Sequence, residues 1–187
     1  MEIIMKKITV VLSILLLCLL AGTMASPRKA SARVSISKTR RQCSTYQKAR
    51  KHMKRISFKV WDIKGRKKVT KTKTILIHKA IAKKVKKAFQ AIYRSKEKFP
   101  IHTVGGFEWR GSNQSLHSLG LAVDINPDEN YMVDRGKVMA GRLWKPGKNP
   151  YSIPKRGIVA KKMKKYGMKQ CLWGKRKDYM HFSVGGY

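Results

Sequence analysis

Two histidines and an aspartate, carried by two short segments far apart along the chain, restrict the fold more than any other feature. The first segment is Ser115–Asp124 (SLHSLGLAVD) and the second is Asp178–Phe182 (DYMHF). Two imidazoles and one carboxylate are a known ligand set of catalytic zinc, which keeps its fourth position open. If His117, Asp124 and His181 bind one ion, the fold must bring the two segments side by side.

Strand alternation supports this placement, because successive side chains of a strand point to opposite faces. In Leu121–Ile125, Asp124 points away from the apolar residues at 121, 123 and 125. In Met180–Val184, His181 points away from the apolar residues at 180, 182 and 184. Each strand therefore has one face for the core and one face for a ligand.

Asp178 lies three residues before His181, a spacing that puts the two on opposite faces of a regular strand. To reach the same site, Asp178 must lie in the turn before the strand or in a β-bulge. From there its carboxylate could accept a proton from a zinc-bound water. The alternative is a turn aspartate that bonds its own backbone.

The remaining periodicity predicts both helices and strands. Apolar residues recur at spacings of three and four over 79–95 and again over 158–166, which favours two amphipathic helices. Alternation over 56–60 and 72–77 favours two strands on either side of a turn at 62–66. This pattern predicts an α+β fold with helices packed on one side of a small antiparallel sheet.

The N-terminus is typical of a secretory signal peptide, with Lys6 and Lys7 before an apolar run over 8–20 and small residues before position 26. The run is shorter than the roughly 20 residues of a spanning helix, but an uncleaved anchor stays open as the alternative. We expect three parts: a signal peptide over 1–25, a basic lead-in over 26–55 and the folded domain over 56–187.

The charge is extreme, with 44 Lys and Arg against nine Asp and Glu, a formal net charge of +35. Such a surface attracts polyanions. For an exported protein we expect anionic cell-wall polymers as the partner, and no specific nucleic acid. Beyond the signal segment, Cys43 and Cys171 could form a disulfide or stay as thiols, and the sequence leaves both open.

At these residues the chain resembles the zinc D-alanyl-D-alanine carboxypeptidases and L-alanyl-D-glutamate peptidases, which share a fold with the Hedgehog signalling domain. That family carries S-x-H-x-x-G-x-A-x-D and a later D/E-x-x-H, and both are complete here. Further similar segments are FPI at 99–101, INP at 125–127 and NPY at 149–151. The resemblance implies the same fold, with zinc in a cleft over the sheet and residues 56–187 as a zinc peptidase domain.

The resemblance also implies a role for each residue of the site. His117, Asp124 and His181 would bind zinc, and Asp178 would be the general base. Arg110 would bind the scissile carbonyl and stabilise its oxyanion, a task suited to a fixed cation. Ser115 would orient the substrate or the loop. Trp173, close to the second motif, could line the cleft.

The implied function is hydrolysis of an amide in peptidoglycan stem peptides by a secreted or wall-associated monomer. The bond could be that of a D-Ala-D-Ala carboxypeptidase or of an L-Ala-D-Glu endopeptidase. The alternative is a non-catalytic module of the same fold that binds the cell wall or nucleic acid through its charge. The complete ligand set together with Asp178 favours the enzyme.

Overall fold

The computed structural model describes residues 34–187, which form one compact unit from Val34 to Tyr187. The predicted signal peptide lies outside the described residues, as does the first part of the predicted lead-in. None of the helices within 34–187 is long and apolar enough to cross a membrane.

Folded structure begins ahead of the predicted boundary at Ile56. Helix α1 (Ile36–Gln42) and helix α2 (Tyr46–Lys51) are capped by the side chains of Ser35 and Thr45. The prediction of a basic lead-in up to residue 55 therefore needs correction for residues 34–55. These two helices are polar over most of their surface, but Ala49 of α2 and Cys43, the residue that follows α1, are buried in the core.

A long two-stranded ribbon follows, made of β1 (Met53–Lys64) and β2 (Lys67–His78). The two strands pair in an unbroken antiparallel register from Met53 opposite His78 to Lys64 opposite Lys67. Both strands extend beyond the predicted segments. In β1 the added outer residues include Asp62–Lys64 of the predicted turn, and in β2 Thr and Lys alternate over 70–74 where the pattern expects apolar residues. Phe58 joins the ribbon to the helices, with its ring 3.9 Å from that of Phe89.

The two predicted amphipathic helices are confirmed as α3 (Lys79–Tyr93) and α4 (Ile158–Lys165). The predicted stripe of α3 is buried and packs on the ribbon; it consists of Ile81, Val85, Ala88, Phe89 and Ile92. Helix α4 packs against α3 through its own buried residues, Val159 and Met163. The helical layer thus connects the ribbon to the second sheet.

The second sheet has six strands, and every pairing is antiparallel. Its strands are β3 (Val104–Gly105), β4 (Ala122–Ile125), β5 (Met132–Asp134), β6 (Lys137–Ala140), β7 (Lys169–Trp173) and β8 (Arg176–Ser183). The order is β3-β4-β8-β5-β6, with β7 paired to β8. The predicted α+β class with helices on antiparallel strands is confirmed.

Strand β8 organises this sheet. Strand β4 pairs with its second half and β5 with its first half, while β7 pairs with both halves. Since β7 spans both pairings, it must lie along the opposite edge of β8. The sequence does not predict β7, because its five residues (KQCLW) lack an apolar alternation. Cys171 of β7 and Cys43 are both buried free thiols, so no disulfide joins them.

We predict that Gly120→Ala destabilises the fold more than Gly111→Ala does. Both glycines have a positive φ, of 61° and 75°, which an alanine adopts at a cost of about 1–2 kcal/mol. At Gly120 an added Cβ would also overlap the sulfur of Met53 and lie 2.8 Å from the backbone nitrogen of His78, whereas Gly111 has open space. Urea unfolding should show a loss of about 3 kcal/mol or more at Gly120. Equal losses at both positions would contradict this packing.

Candidate metal centre

The structure brings the three predicted ligands together at one point. His117 Nε2 lies 3.1 Å from Asp124 Oδ2 and 3.1 Å from His181 Nδ1, and His181 Nδ1 lies 3.0 Å from Asp124 Oδ1. The side chains of His117, Asp124 and His181 are only 3, 17 and 11% exposed. They are the one group of this kind among residues 34–187 that could hold a metal ion.

The pairing of β4 with β8 positions two of the three side chains. Asp124 lies directly opposite His181 in the register, and paired residues of an antiparallel sheet point to the same face. Their neighbours Val123 and Phe182 are also paired and point into the core, where both are fully buried. The alternation predicted from the sequence therefore holds on both strands.

A tight loop holds the third ligand, His117. Its backbone N–H donates to Ser115 Oγ at 3.2 Å, and its carbonyl accepts from the backbone N–H of Gly120 at 2.9 Å. Ser115 therefore shapes the loop that carries the ligand, which is one of the two roles implied for it. Ser118 connects this loop to the segment around Arg110, since its Oγ accepts a hydrogen bond from the backbone N–H of Arg110 at 3.0 Å.

The carbonyl of Gly106 orients the His117 ring, and the sequence did not indicate this residue. His117 Nδ1 lies 2.8 Å from that carbonyl oxygen, so Nδ1 carries the proton and donates it. The lone pair of Nε2 then faces Asp124 and His181. Outer partners of this kind fix the tautomer of metal-binding histidines. A side chain at Gly106 would overlap the carbonyl of Leu76 in the ribbon, so only glycine fits there.

The three groups are strongly coupled electrostatically. Burial alone would raise the pKa of Asp124, but the hydrogen bonds and charges of His117 and His181 lower it well below its usual range. Burial lowers the pKa of His117, but Asp124 and the Gly106 carbonyl outweigh burial and raise it. Asp124 is therefore a carboxylate at any physiological pH, as a metal ligand must be.

Asp178 lies beside this group because strand β8 is irregular. Gln170 pairs with Phe182, but the next residue, Cys171, pairs with Asp178, so β8 contains extra residues at this point. This shift is the irregular backbone that the spacing to His181 predicts. Asp178 Oδ1 is buried and has no hydrogen-bond partner within residues 34–187.

Burial raises the pKa of Asp178 to about 6. The charge of Asp124 also raises this pKa, while the charges of His181 and His117 and the backbone N–H of His181 lower it. The charges of all three candidate ligands therefore act on the carboxylate of Asp178, which pairs with Cys171 at the irregular point of β8. A buried, unpartnered acceptor of raised basicity is suited to taking a proton near neutral pH.

Arg110 lies on the loop next to His117 and is half exposed. Its Nε and Nη2 donate to Glu108 Oε2 at 3.1 and 2.9 Å, and both side chains are largely in solvent. The charge of Arg110 is close enough to lower the pKa of His117 slightly. Because an exposed ion pair is weak, an incoming carbonyl or carboxylate can compete with Glu108 for the guanidinium.

The N-terminal helices brace the loop that carries Arg110. Arg40 Nη2 donates to the carbonyl of Gln114 at 3.1 Å, and Asn113 Nδ2 donates to the carbonyl of Arg40 at 3.0 Å. The ring of Tyr46 lies 6.3 Å from that of Phe107 and 6.4 Å from that of Trp109. Residues 34–51, assigned to a lead-in from composition, therefore support the site.

Trp173 lies at the exposed end of β7, with half of its surface in solvent. It is two residues from Cys171, which pairs with Asp178, so Trp173 and Asp178 share a face of the sheet. Burial raises the pKa of the Cys171 thiol, which keeps it neutral beside the site. Trp173 is thus placed to contact a substrate that approaches Asp178.

The other described histidines lie outside the cluster. His102 Nε2 contacts Glu129 Oε2 at 3.0 Å and its ring stacks on Tyr151. His52 and His78 stack on each other with ring centroids 5.6 Å apart. His78 Nδ1 accepts the backbone N–H of Ala80 and caps helix α3. These roles fit their omission from the predicted ligand set.

The donor set fits zinc. A tetrahedral zinc ion with bonds of about 2.0–2.2 Å spaces its ligand atoms about 3.3 Å apart. The observed separations of 3.0–3.1 Å need only a few tenths of an ångström of outward movement. The Gly106 carbonyl supplies the outer partner of one ligand, while His181 Nε2 is buried and unpartnered among the described residues.

Residues 109–184 match the family model described as D-alanyl-D-alanine carboxypeptidase. The match includes the three candidate ligands together with Arg110, Ser115, Trp173 and Asp178, and it confirms the resemblance seen in the motifs. The FPI segment at 99–101 and Gly106 lie outside it. No curated protein matches the chain, and neither does any solved structure.

We predict that the purified protein holds about one zinc ion per chain and that His117→Ala or His181→Ala abolishes this stoichiometry. Each change removes one of three ligands at a site where no other imidazole is within reach. His102→Ala, which removes a histidine outside the cluster, is the matched control. Metal content by mass spectrometry checks the result. Full zinc occupancy in His117→Ala would show that the metal binds elsewhere.

Proposed function

We propose that this chain, which carries the D-alanyl-D-alanine carboxypeptidase pattern over residues 109–184, is a zinc peptidase that hydrolyses an amide of peptidoglycan stem peptides. The observation that carries the proposal is Asp178 Oδ1, a buried acceptor without a hydrogen-bond partner among residues 34–187, beside the candidate ligands His117, Asp124 and His181. A structural metal site has all positions filled by protein and needs no free base. A site with three protein ligands and a free base fits catalysis.

Zinc held by the three ligands would supply a Lewis acid that lowers the pKa of a water molecule and polarises the scissile carbonyl. The protein then has to accept one proton and place the substrate. Asp178 Oδ1 accepts the proton of the attacking water and passes it to the leaving amine. The register shift in β8 holds this carboxylate on the side of the ligands, whereas a regular strand would point it to the opposite face.

Arg110 supplies a fixed cation for the oxygen that becomes negative as the amide is attacked. Its backbone is held by Ser118, and the loop around it is held by α1 and α2. When substrate enters, the guanidinium leaves Glu108 and bonds the carbonyl. Trp173 contacts the peptide from the end of β7. The carboxypeptidase and endopeptidase reactions both remain candidates for this site.

The high positive net charge of the chain supports a location at the cell envelope. A protein of net charge +35 is retained by anionic wall polymers, where stem peptides are concentrated. The signal-like N-terminus supports export to that compartment. We therefore propose a secreted or wall-associated enzyme that acts as a monomer, and we expect no specific nucleic acid as its partner.

We predict that Asp178→Asn lowers kcat by about 10²–10⁴-fold, because the amide has the same shape but cannot accept the proton. Zinc content should stay near one per chain, since Asp178 is not among the three ligands. Mass spectrometry of defined muropeptides after digestion measures turnover and identifies the bond.

Asp62→Asn is a suitable control, since Asp62 contacts Tyr151 away from the cluster. Unchanged turnover in Asp178→Asn would remove the proposed base. Loss of zinc in the same variant would instead make Asp178 part of the metal site. If the unaltered chain cleaves stem peptides and Asp178→Asn still binds isolated walls without cleaving them, the protein is an enzyme. A non-catalytic wall-binding module would show no turnover in either protein.

A further inference from the structure

We infer that the groove between helix α4 and strand β7 binds a phosphate-bearing polyanion that lacks nucleobases. The groove has a volume of about 600 Å³. Its lining consists of five cationic residues and three uncharged ones: Lys155, Arg156, Lys161, Lys164, Lys169, Ala160, Gln170 and Leu172. This site is separate from the metal centre and goes beyond the proposed hydrolysis.

The five cations of the groove have no acidic counterpart. No carboxylate lines the groove, and none of the five forms an ion pair or side-chain hydrogen bond with another residue of the described chain. The ion pairs that do occur involve carboxylates elsewhere, such as Glu108 with Arg110 and Asp134 with Arg176. Like charges gathered without a counterion repel each other, and a bound polyanion would relieve this repulsion.

Regular structure holds these cations in place. Lys161 and Lys164 are three positions apart on α4 and therefore lie on one face of the helix. The other face is anchored by the fully buried Val159 and Met163. Lys169 begins β7, on the other side of the groove. The positive charges thus line both walls of a concave site and are not dispersed over a flat surface.

The composition of the lining favours a polymer of phosphodiesters over a nucleic acid. Proteins that bind single strands combine positive charge with aromatic side chains on which the bases stack. No aromatic residue lines this groove, and its uncharged floor is small, with Ala160 and Leu172. The ring of Trp144, 5.7 Å from Lys155 Nζ, is stacked on Tyr179. The site can therefore contact repeated phosphates and short linkers, as in a poly(glycerol phosphate) chain, but offers no platform for a base.

Strand β7 connects the groove to the metal centre. Lys169, Gln170 and Leu172 line the groove, whereas Cys171 pairs with Asp178 and shares its face with Trp173. After Lys169, the first residue of the strand, alternation directs the side chains of Gln170 and Leu172 to the groove and those of Cys171 and Trp173 to the face of Asp178. A polymer held in the groove would keep the metal centre next to the anionic surface to which the protein is bound.

Binding of the full chain to fluorescently labelled poly(glycerol phosphate) tests this inference by anisotropy at several salt concentrations. The groove variant carries Lys161→Gln, Lys164→Gln and Lys169→Gln. The control variant carries Lys64→Gln, Lys67→Gln and Lys137→Gln, three exposed lysines away from the groove. Both variants lose the same net charge, so any difference between them comes from position.

We expect the groove variant to bind about tenfold or more weakly and with a shallower salt dependence, because fewer phosphates are neutralised. The control should change by about twofold or less. Equal weakening in both variants would overturn the inference, since binding would then follow net charge alone. Tighter binding of a single-stranded oligonucleotide of equal charge, lost in the groove variant, would overturn it in favour of a nucleic-acid site.

The groove variant should still bind zinc and cleave a small soluble muropeptide at the unaltered rate. Polymer binding is measured directly by anisotropy. The inference about the groove can therefore hold even if the chain hydrolyses no stem peptide. A folded groove variant that loses muropeptide cleavage together with polymer binding would contradict the separation of the two sites.

Discussion

The pairing of β4 with β8 is the contact on which the candidate site depends. It sets Asp124 opposite His181 and, one residue away, sets Val123 opposite Phe182. The second pair is fully buried, so the free energy that orders the core also fixes the ligands. His117 comes from a loop, but its hydrogen bond to Gly106 ties it to a residue packed on the ribbon. The metal centre is therefore assembled from a core contact and a backbone contact.

Irregular backbone occurs on both sides of the paired strands β4 and β8. Asp178 reaches the site only because β8 carries extra residues opposite β7, and Gly120 lets the chain turn from the His117 loop towards β4 with a left-handed backbone. Both irregular positions lie within the segment that matches the peptidase family. Helices α1 and α2 lie outside that segment and still contact the Arg110 loop, so the support for the site is wider than the family pattern.

The sequence predicts the site well where side chains alternate. The faces of β4 and β8 follow from LAVDI and MHFSV, and the irregular position of Asp178 follows from its spacing to His181. Gly106 is not predictable in this way, because its role is performed by a carbonyl that every residue has. Strand β7 is missed because it is a short edge strand with one buried residue, Cys171. Helix α1 at 36–42 is missed because its basic composition conceals the one residue that it buries, Thr39.

We propose that zinc held by His117, Asp124 and His181 enables this chain to cleave peptidoglycan stem peptides. Mass spectrometry of a defined muropeptide is the most direct test, with the full chain as purified, after removal of metal by a chelator, and after zinc is returned. We predict one defined cleavage that disappears with the metal and returns with zinc. Cleavage that persists in the metal-free protein, or no cleavage with zinc bound, would contradict it.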